Sequence, residues 1–299
     1  MTLPVNQPID HHYLPVFYLK QWCGGGGKVV RYYRPYRDVV ASKVIPKNTA
    51  YEPNLNTLDG FPIELRASIE THYMGPVIDA PASDALAQLL AGGLRTMSDA
   101  KKRVWARFLM SLPLRNPETL AAVNADMHQQ LIAQLCAKPE IQEAYRASSN
   151  MRDIAAWIED QYPAMLERAG TLQLSLFIEE LSKPFHAMQW STFDLGGAAT
   201  SLLTSDRPLF ELHGFGDPRY VVALPLSPRW LFVAASARES IQALTRQTAD
   251  SIVAMINEKL VAQAAVQVYG NTKAHLATVE EHLRPRREAG DRQGRAARP

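Results

Sequence analysis

A chain of 299 residues, 46% hydrophobic, 21% charged and 8% aromatic, with a formal net charge of +2, is neither wholesale disordered, nor collagen-like, nor a continuous coiled coil. The length is ample for a packed core, and the near-neutral charge supplies no global field of the kind a nucleic-acid-coating protein carries. The only two cysteines, Cys23 and Cys136, are far apart and too few for a disulfide framework, so a reducing compartment is expected. Residues 1–10 carry no Lys or Arg and no apolar run of signal-peptide type. No stretch reaches the about 18–20 apolar residues that cross a bilayer. The expectation is a cytoplasmic protein with no membrane partner.

In chain order, residues 10–22 predict a short helix with Pro15 in its first turn, its cap near His12 and His11 in the extended entry. Four glycines at 24–27 break the chain. Residues 28–48, rich in Val, Ile and Tyr and punctuated by Pro35 and Pro46, predict a hairpin, and residues 49–62 a loop. Helices are expected across residues 63–188. The first covers 63–73, another covers 83–91 and stops at Gly92, and Ser98 caps a third that carries Val104, Trp105, Phe108, Leu109 and Leu112. Pro113 and Pro117 bend or end that helix. Leu120, Val123, Met127, Leu131 and Leu135 mark the next, and further helices fall at roughly 151–168 and 171–188. Residues 200–235 change period and predict four short strands separated by turns. A long helix is expected over 239–267, and residues 284–299 predict a disordered Arg-rich tail. The sum is one mostly helical α+β domain over residues 1–283, with a small antiparallel sheet built from N-terminal and C-terminal-half strands.

The segment D-H-H-Y-L-P-V-F-Y-L-K-Q-W at residues 10–22 is distinctive. It resembles the opening of a widespread, mostly bacterial family known as a domain of unknown function, whose members typically begin H-H-Y-(V/L)-P-x-F-Y-L-(R/K)-x-(F/W). Three later segments are similar to that family as well: L-P-L-R-N-P at 112–117, L-T-S-D-R-P at 203–208 and L-P-L-S-P at 224–228. Asn116 stands where the family usually has Ser or Thr, and Arg207 where it usually has Asn. The resemblance runs from residue 10 to about 270 and carries over no agreed activity.

Several residues are candidates for chemistry. His11 and His12 in an extended stretch could help bind a metal or an anion, or one could hydrogen-bond a backbone carbonyl while the other packs on Tyr13 or Trp22. Asp206, after Thr204 and Ser205 at a strand end, could supply an oxygen ligand or simply form a turn before Pro208. Glu70 could complete a His/carboxylate site or be solvated. Arg115, bracketed by prolines, could clamp a phosphate or carboxylate, or pair with Asp206 or Glu70 as a strut. In the hairpin, Arg31, Tyr33, Arg34 and Arg37, with Lys28, Lys43, Lys47, Tyr32 and Tyr36, form the strongest nucleic-acid signal, although such residues also protect edge strands. The glycines before Lys28 do not form a P-loop, because Val29 occupies the place of the Mg-binding hydroxyl.

Two functions from different classes follow. In the first, His11, His12, Asp206 and Glu70 hold a divalent ion (Mg, Mn or Zn), Arg115 holds phosphate, and the protein hydrolyses phosphodiester bonds of nucleic acid or a nucleotide. A variant of it keeps the same residues for a small phosphorylated ligand. In the second, the protein is a non-catalytic protein- or nucleic-acid-binding module, and the same motifs join the N-terminal helix to the C-terminal sheet.

Overall fold

The computed structural model describes residues 9–148 and 152–285. The proposed tail lies outside these apart from Arg284 and Pro285. The protein is α+β, mostly helical, with small antiparallel sheets. Its strands are β1 (Asp10–His12), β2 (Val29–Tyr33), β3 (Val40–Val44), β4 (Tyr51–Pro53), β5 (Gln189–Asp194), β6 (Thr204–Ser205), β7 (Phe210–Leu212), β8 (Val221–Pro225), β9 (Trp230–Ala235) and β10 (Gln267–Gly270). The residues cluster in two compact units. One comprises residues 1–15 and 51–186, and the other residues 16–50 and 187–299.

The first unit is helical apart from the β1–β4 pair, in which His11 lies opposite Glu52 and His12 opposite Tyr51. This corrects the expected helical entry: Pro15 delays the helix to Val16–Leu19, and His12 is a strand residue instead of a cap. Ser98 caps Asp99–Leu114 by accepting the Lys101 N–H, and Trp105, Phe108, Leu109 and Leu112 are buried along it. Asn116 then caps Pro117–Cys136, its Oδ1 accepting the N–H groups of Glu118 and Thr119. Asn is among the strongest residues at such a cap. Ile132, Leu135, Trp157, Ile158 and Leu166 form a core cluster in this unit. The segment Ala169–Leu172 approaches Pro117–Cys136 so closely that a Cβ on Gly170 would lie 2.8 Å from the Val123 carbonyl carbon and 2.9 Å from the Asn124 nitrogen. Gly170→Ala is therefore expected to cost about 1–3 kcal/mol, read as a lower urea midpoint with an unchanged slope.

The second unit carries two four-stranded antiparallel sheets, ordered β3-β2-β10-β6 and β5-β9-β8-β7. The expected hairpin is β2–β3, with Arg31 opposite Ser42 and Tyr33 opposite Val40. β5 and β10 are additions to the predicted strands. The expected helix over 239–267 is instead Arg238–Thr245, then Ala249–Gln263, then β10. Thr248 starts the second helix by accepting the Ser251 N–H. The Val and Tyr residues of β10 are fully buried between β2 and β6, where β-branched and aromatic side chains favour a strand. Ala249–Gln263 serves both sheets. Ile252, Val253, Ile256 and Leu260 pack with Val221, Ala223, Leu231 and Val233, while Val261 packs with Val30, Tyr32 and Val268.

Candidate functional site

Three motif segments meet at one phenol. Tyr18, on the helix Val16–Leu19, is fully buried. Its hydroxyl donates to the Pro225 carbonyl at 2.8 Å and lies 2.9 Å from Thr204 Oγ1. With its single proton engaged by Pro225, the phenol accepts from Thr204. Burial pushes its pKa up, so it stays protonated and keeps donating. One turn later, Trp22 Nε1 donates to the Leu202 carbonyl at 2.9 Å. The opening segment, L-T-S-D-R-P and L-P-L-S-P are thus joined by hydrogen bonds between buried groups.

Asp206 has a backbone task. Its Oδ1 accepts the Ala265 N–H at 2.8 Å, and its Oδ2 accepts those of Val266 at 2.7 Å and Gln267 at 2.9 Å. Its own N–H donates to the Gln267 carbonyl at 3.0 Å. The carboxylate therefore fixes the turn that leads from Ala249–Gln263 into β10. Burial raises its pKa, and the N–H dipoles oppose that rise.

His11, His12, Glu70 and Arg115 belong to the other unit. His11 is 1% exposed. Its Nδ1 accepts the Asn56 N–H at 2.9 Å, which puts the ring proton on Nε2 when the imidazole is neutral. Glu70 accepts from Asn56 Nδ2 at 2.6 Å and lies 3.8 Å from His11 Nδ1. The His12 ring lies 5.5 Å from that of Tyr51. Neighbouring residues on a strand project to opposite faces, so the two imidazoles diverge. Arg115 is 2% exposed and grips Asp79 at 2.6 and 3.1 Å, with Nε on Ser111 Oγ at 3.2 Å. It is a strut. Among the described residues no group of three or more His, Cys, Asp or Glu side chains is arranged to hold a metal ion.

The hairpin residues divide into anchors and an exposed set. Arg34 donates to Glu280 Oε1 at 2.9 Å, to the Glu280 carbonyl at 2.8 Å and to the Arg37 carbonyl. Glu280 Oε2 in turn accepts the Val39 N–H at 2.8 Å. Arg34 therefore ties the hairpin tip to Leu276–His282. Tyr36 at that tip is 90% exposed, and Lys28, Arg37 and Lys43 are exposed around it and along the strands. The Arg31 guanidinium lies 4.5 Å over the Tyr33 ring. Its buried Nε has no hydrogen-bond partner among the described residues.

One further cluster carries no local sequence motif. A pocket of about 520 Å³ in the second unit is lined by Thr200, Ser201, Arg229, Asn271, Thr272 and His275, with an apolar wall from Leu195, Ala198, Ala199 and Pro228. Ser201 Oγ stands 2.8 Å from Asn271 Oδ1 and 2.9 Å from His275 Nε2. Burial holds the imidazole pKa below its ordinary value, so the ring is neutral at pH 7. Asn257 fixes the serine's segment, accepting the Leu203 N–H and donating to the Ser201 carbonyl. The signal for this cluster was the Gly270-Asn271 turn, legible only once residues 267–270 are read as a strand.

Comparison with known proteins gives the class. The chain belongs to DUF4238, a family of proteins of unknown function, whose model matches residues 10–274. No curated protein and no solved structure matches the chain.

Proposed function

We propose that this protein is a binding module for single-stranded nucleic acid, engaged through the hairpin β2–β3, and that its His-His and Thr-Ser-Asp motifs are structural. The observation that carries this reading is the hairpin tip. Tyr36 is exposed at 90% on a turn tied to Glu280 by Arg34, beside the exposed Arg37, with Lys28 and Lys43 exposed toward the far end of the hairpin. An aromatic ring held ready in a basic setting offers a stacking face to a base and cations to its phosphates. The motif contacts support the structural half: Tyr18, Asp206 and Arg115 are each engaged within the protein.

Fluorescence anisotropy with labelled single-stranded 20-mers of DNA and RNA tests the reading. Binding should weaken steeply between about 50 and 200 mM salt. Tyr36→Ala should weaken it by about 5- to 100-fold, corresponding to the loss of one stacked base. Lys43→Gln should lower affinity to a similar degree for every sequence. Absence of binding at low salt overturns the proposal, as does wild-type affinity in both variants. Cleavage of either oligonucleotide when Mg or Mn is supplied would restore the hydrolase reading.

A further inference from the structure

We propose that Ser201 and His275 form a nucleophile–base pair, and that the pocket they line takes a small uncharged carboxylic ester. The inference is independent of the hairpin reading and rests on different residues. Ser201 Oγ and His275 Nε2 are at hydrogen-bond distance, 2.9 Å, which is the contact a general base needs with the hydroxyl it activates. The serine lines an open pocket of about 520 Å³, room enough for a small organic ligand.

The pair is held from several directions. Asn257 holds the backbone that leaves the serine, at the Ser201 carbonyl and the Leu203 N–H. Tyr32 from β2 donates its hydroxyl to the Thr272 carbonyl, which holds the turn that carries the histidine. Gly270 lets side chains pack closely at the head of that turn. A Cβ there would stand 2.8 Å from Leu203 Cδ2, 3.4 Å from Tyr32 and 3.6 Å from the His275 ring.

Asn271 sets the proton's direction. With its Oδ1 toward Ser201, the serine donates to the amide and His275 donates to the serine. A half-turn of the amide presents its NH2 to Oγ and directs the serine proton to Nε2, with the heavy atoms unmoved. That second arrangement is the reactive one. A neutral imidazole then accepts the proton, and the Asn271 N–H lies beside the oxygen that is losing it.

The chemistry closes without a further reagent. Oγ attacks the ester carbonyl as its proton passes to Nε2, forming a tetrahedral adduct. The bond to the leaving oxygen breaks, and that oxygen takes the proton from Nε2 and departs as an alcohol. Water then attacks the acyl-serine and gives a proton to Nε2, which returns it to Oγ as the acid is released. Arg229 at the pocket is paired with Asp194, so the charge there is compensated and favours an uncharged substrate. The apolar wall suits a short acyl chain.

The test uses the full chain and two probes, a fluorophosphonate and p-nitrophenyl acetate. The fluorophosphonate should form a covalent adduct, mapped by peptide mass spectrometry to Ser201. p-Nitrophenyl acetate should be hydrolysed, and Ser201→Ala and His275→Gln should each slow the reaction by about a hundredfold or more. Melting curves of both variants check their fold, and the adduct position in the unmodified chain decides the matter should either variant unfold. Absence of an adduct at Ser201, or hydrolysis unchanged in a folded Ser201→Ala, overturns the proposal. Oligonucleotide affinity should be the same in Ser201→Ala as in the unmodified chain, which separates this test from that of the hairpin.

Discussion

Asp206→Ala is expected to cost about 3 kcal/mol or somewhat more, because it leaves three part-buried N–H groups, at Ala265, Val266 and Gln267, without their acceptor. Some of that penalty is relieved if water enters the space. Equilibrium urea denaturation measures it. Asp206→Asn separates shape from chemistry: it keeps the volume and one oxygen acceptor but sets an NH2 against backbone donors, so it should lose less than alanine and still be clearly destabilised. A metal-ligand role for Asp206 predicts the opposite pattern, with stability unchanged in the metal-free protein and activity lost.

Asp79→Ala should be similarly damaging, at about 3 kcal/mol or somewhat more, because it leaves the guanidinium of Arg115 buried without its partner. Asp79 is itself 29% exposed, so the pair is partly solvated and the lower end of the range for buried pairs applies. Adding Arg115→Met to Asp79→Ala should recover most of the loss, since an apolar side chain of similar length fills the site without a charge. Thermal and chemical melts of the two single variants and the double variant complete the cycle. A phosphate clamp at Arg115 predicts another outcome. Removing Asp79 would free the guanidinium, tighten binding of inorganic phosphate and leave stability nearly unchanged.

The architecture was legible where local pattern and long-range pairing agree. The segment 28–48 is rich in Val and Tyr and punctuated by Pro35 and Pro46, and both strands of the hairpin β2–β3 fall within it. The helix Asp99–Leu114 announced itself through a capping serine and a stripe of large apolar residues. The pattern failed where tertiary pairing overrode it. The apolar stripe of Ala249–Gln263 runs on into β10, and only the partners β2 and β6 convert its continuation into a strand. Residues 10–12 look like a helix entry because Pro15 follows; their pairing with residues 51–53 makes them a strand.

The candidate residues fared differently from the elements. Their residue types were legible, but their partners were not. Asp206 is satisfied by backbone groups some 60 positions away, His11 by the N–H of Asn56, and Arg115 by an aspartate 36 positions earlier. No spacing rule encodes such contacts. Ser201 and His275, separated by 74 positions, carry no local motif at all.

The interleaving of the two units bears on how the chain is made. Residues 16–50 belong with residues 187–299, and Tyr32 finds the carbonyl of Thr272 at a separation of 240 positions. During synthesis the hairpin leaves the ribosome long before β10, its central neighbour, exists. Its apolar face, with Val30 and Tyr32, must wait uncovered through the translation of the whole helical middle. Closing so large a loop is slow, and the waiting strands are open to wrong pairing in the meantime. The exposed Lys28, Arg37 and Lys43 place like charges on the waiting hairpin, and mutual repulsion keeps nascent copies apart until the C-terminal third arrives.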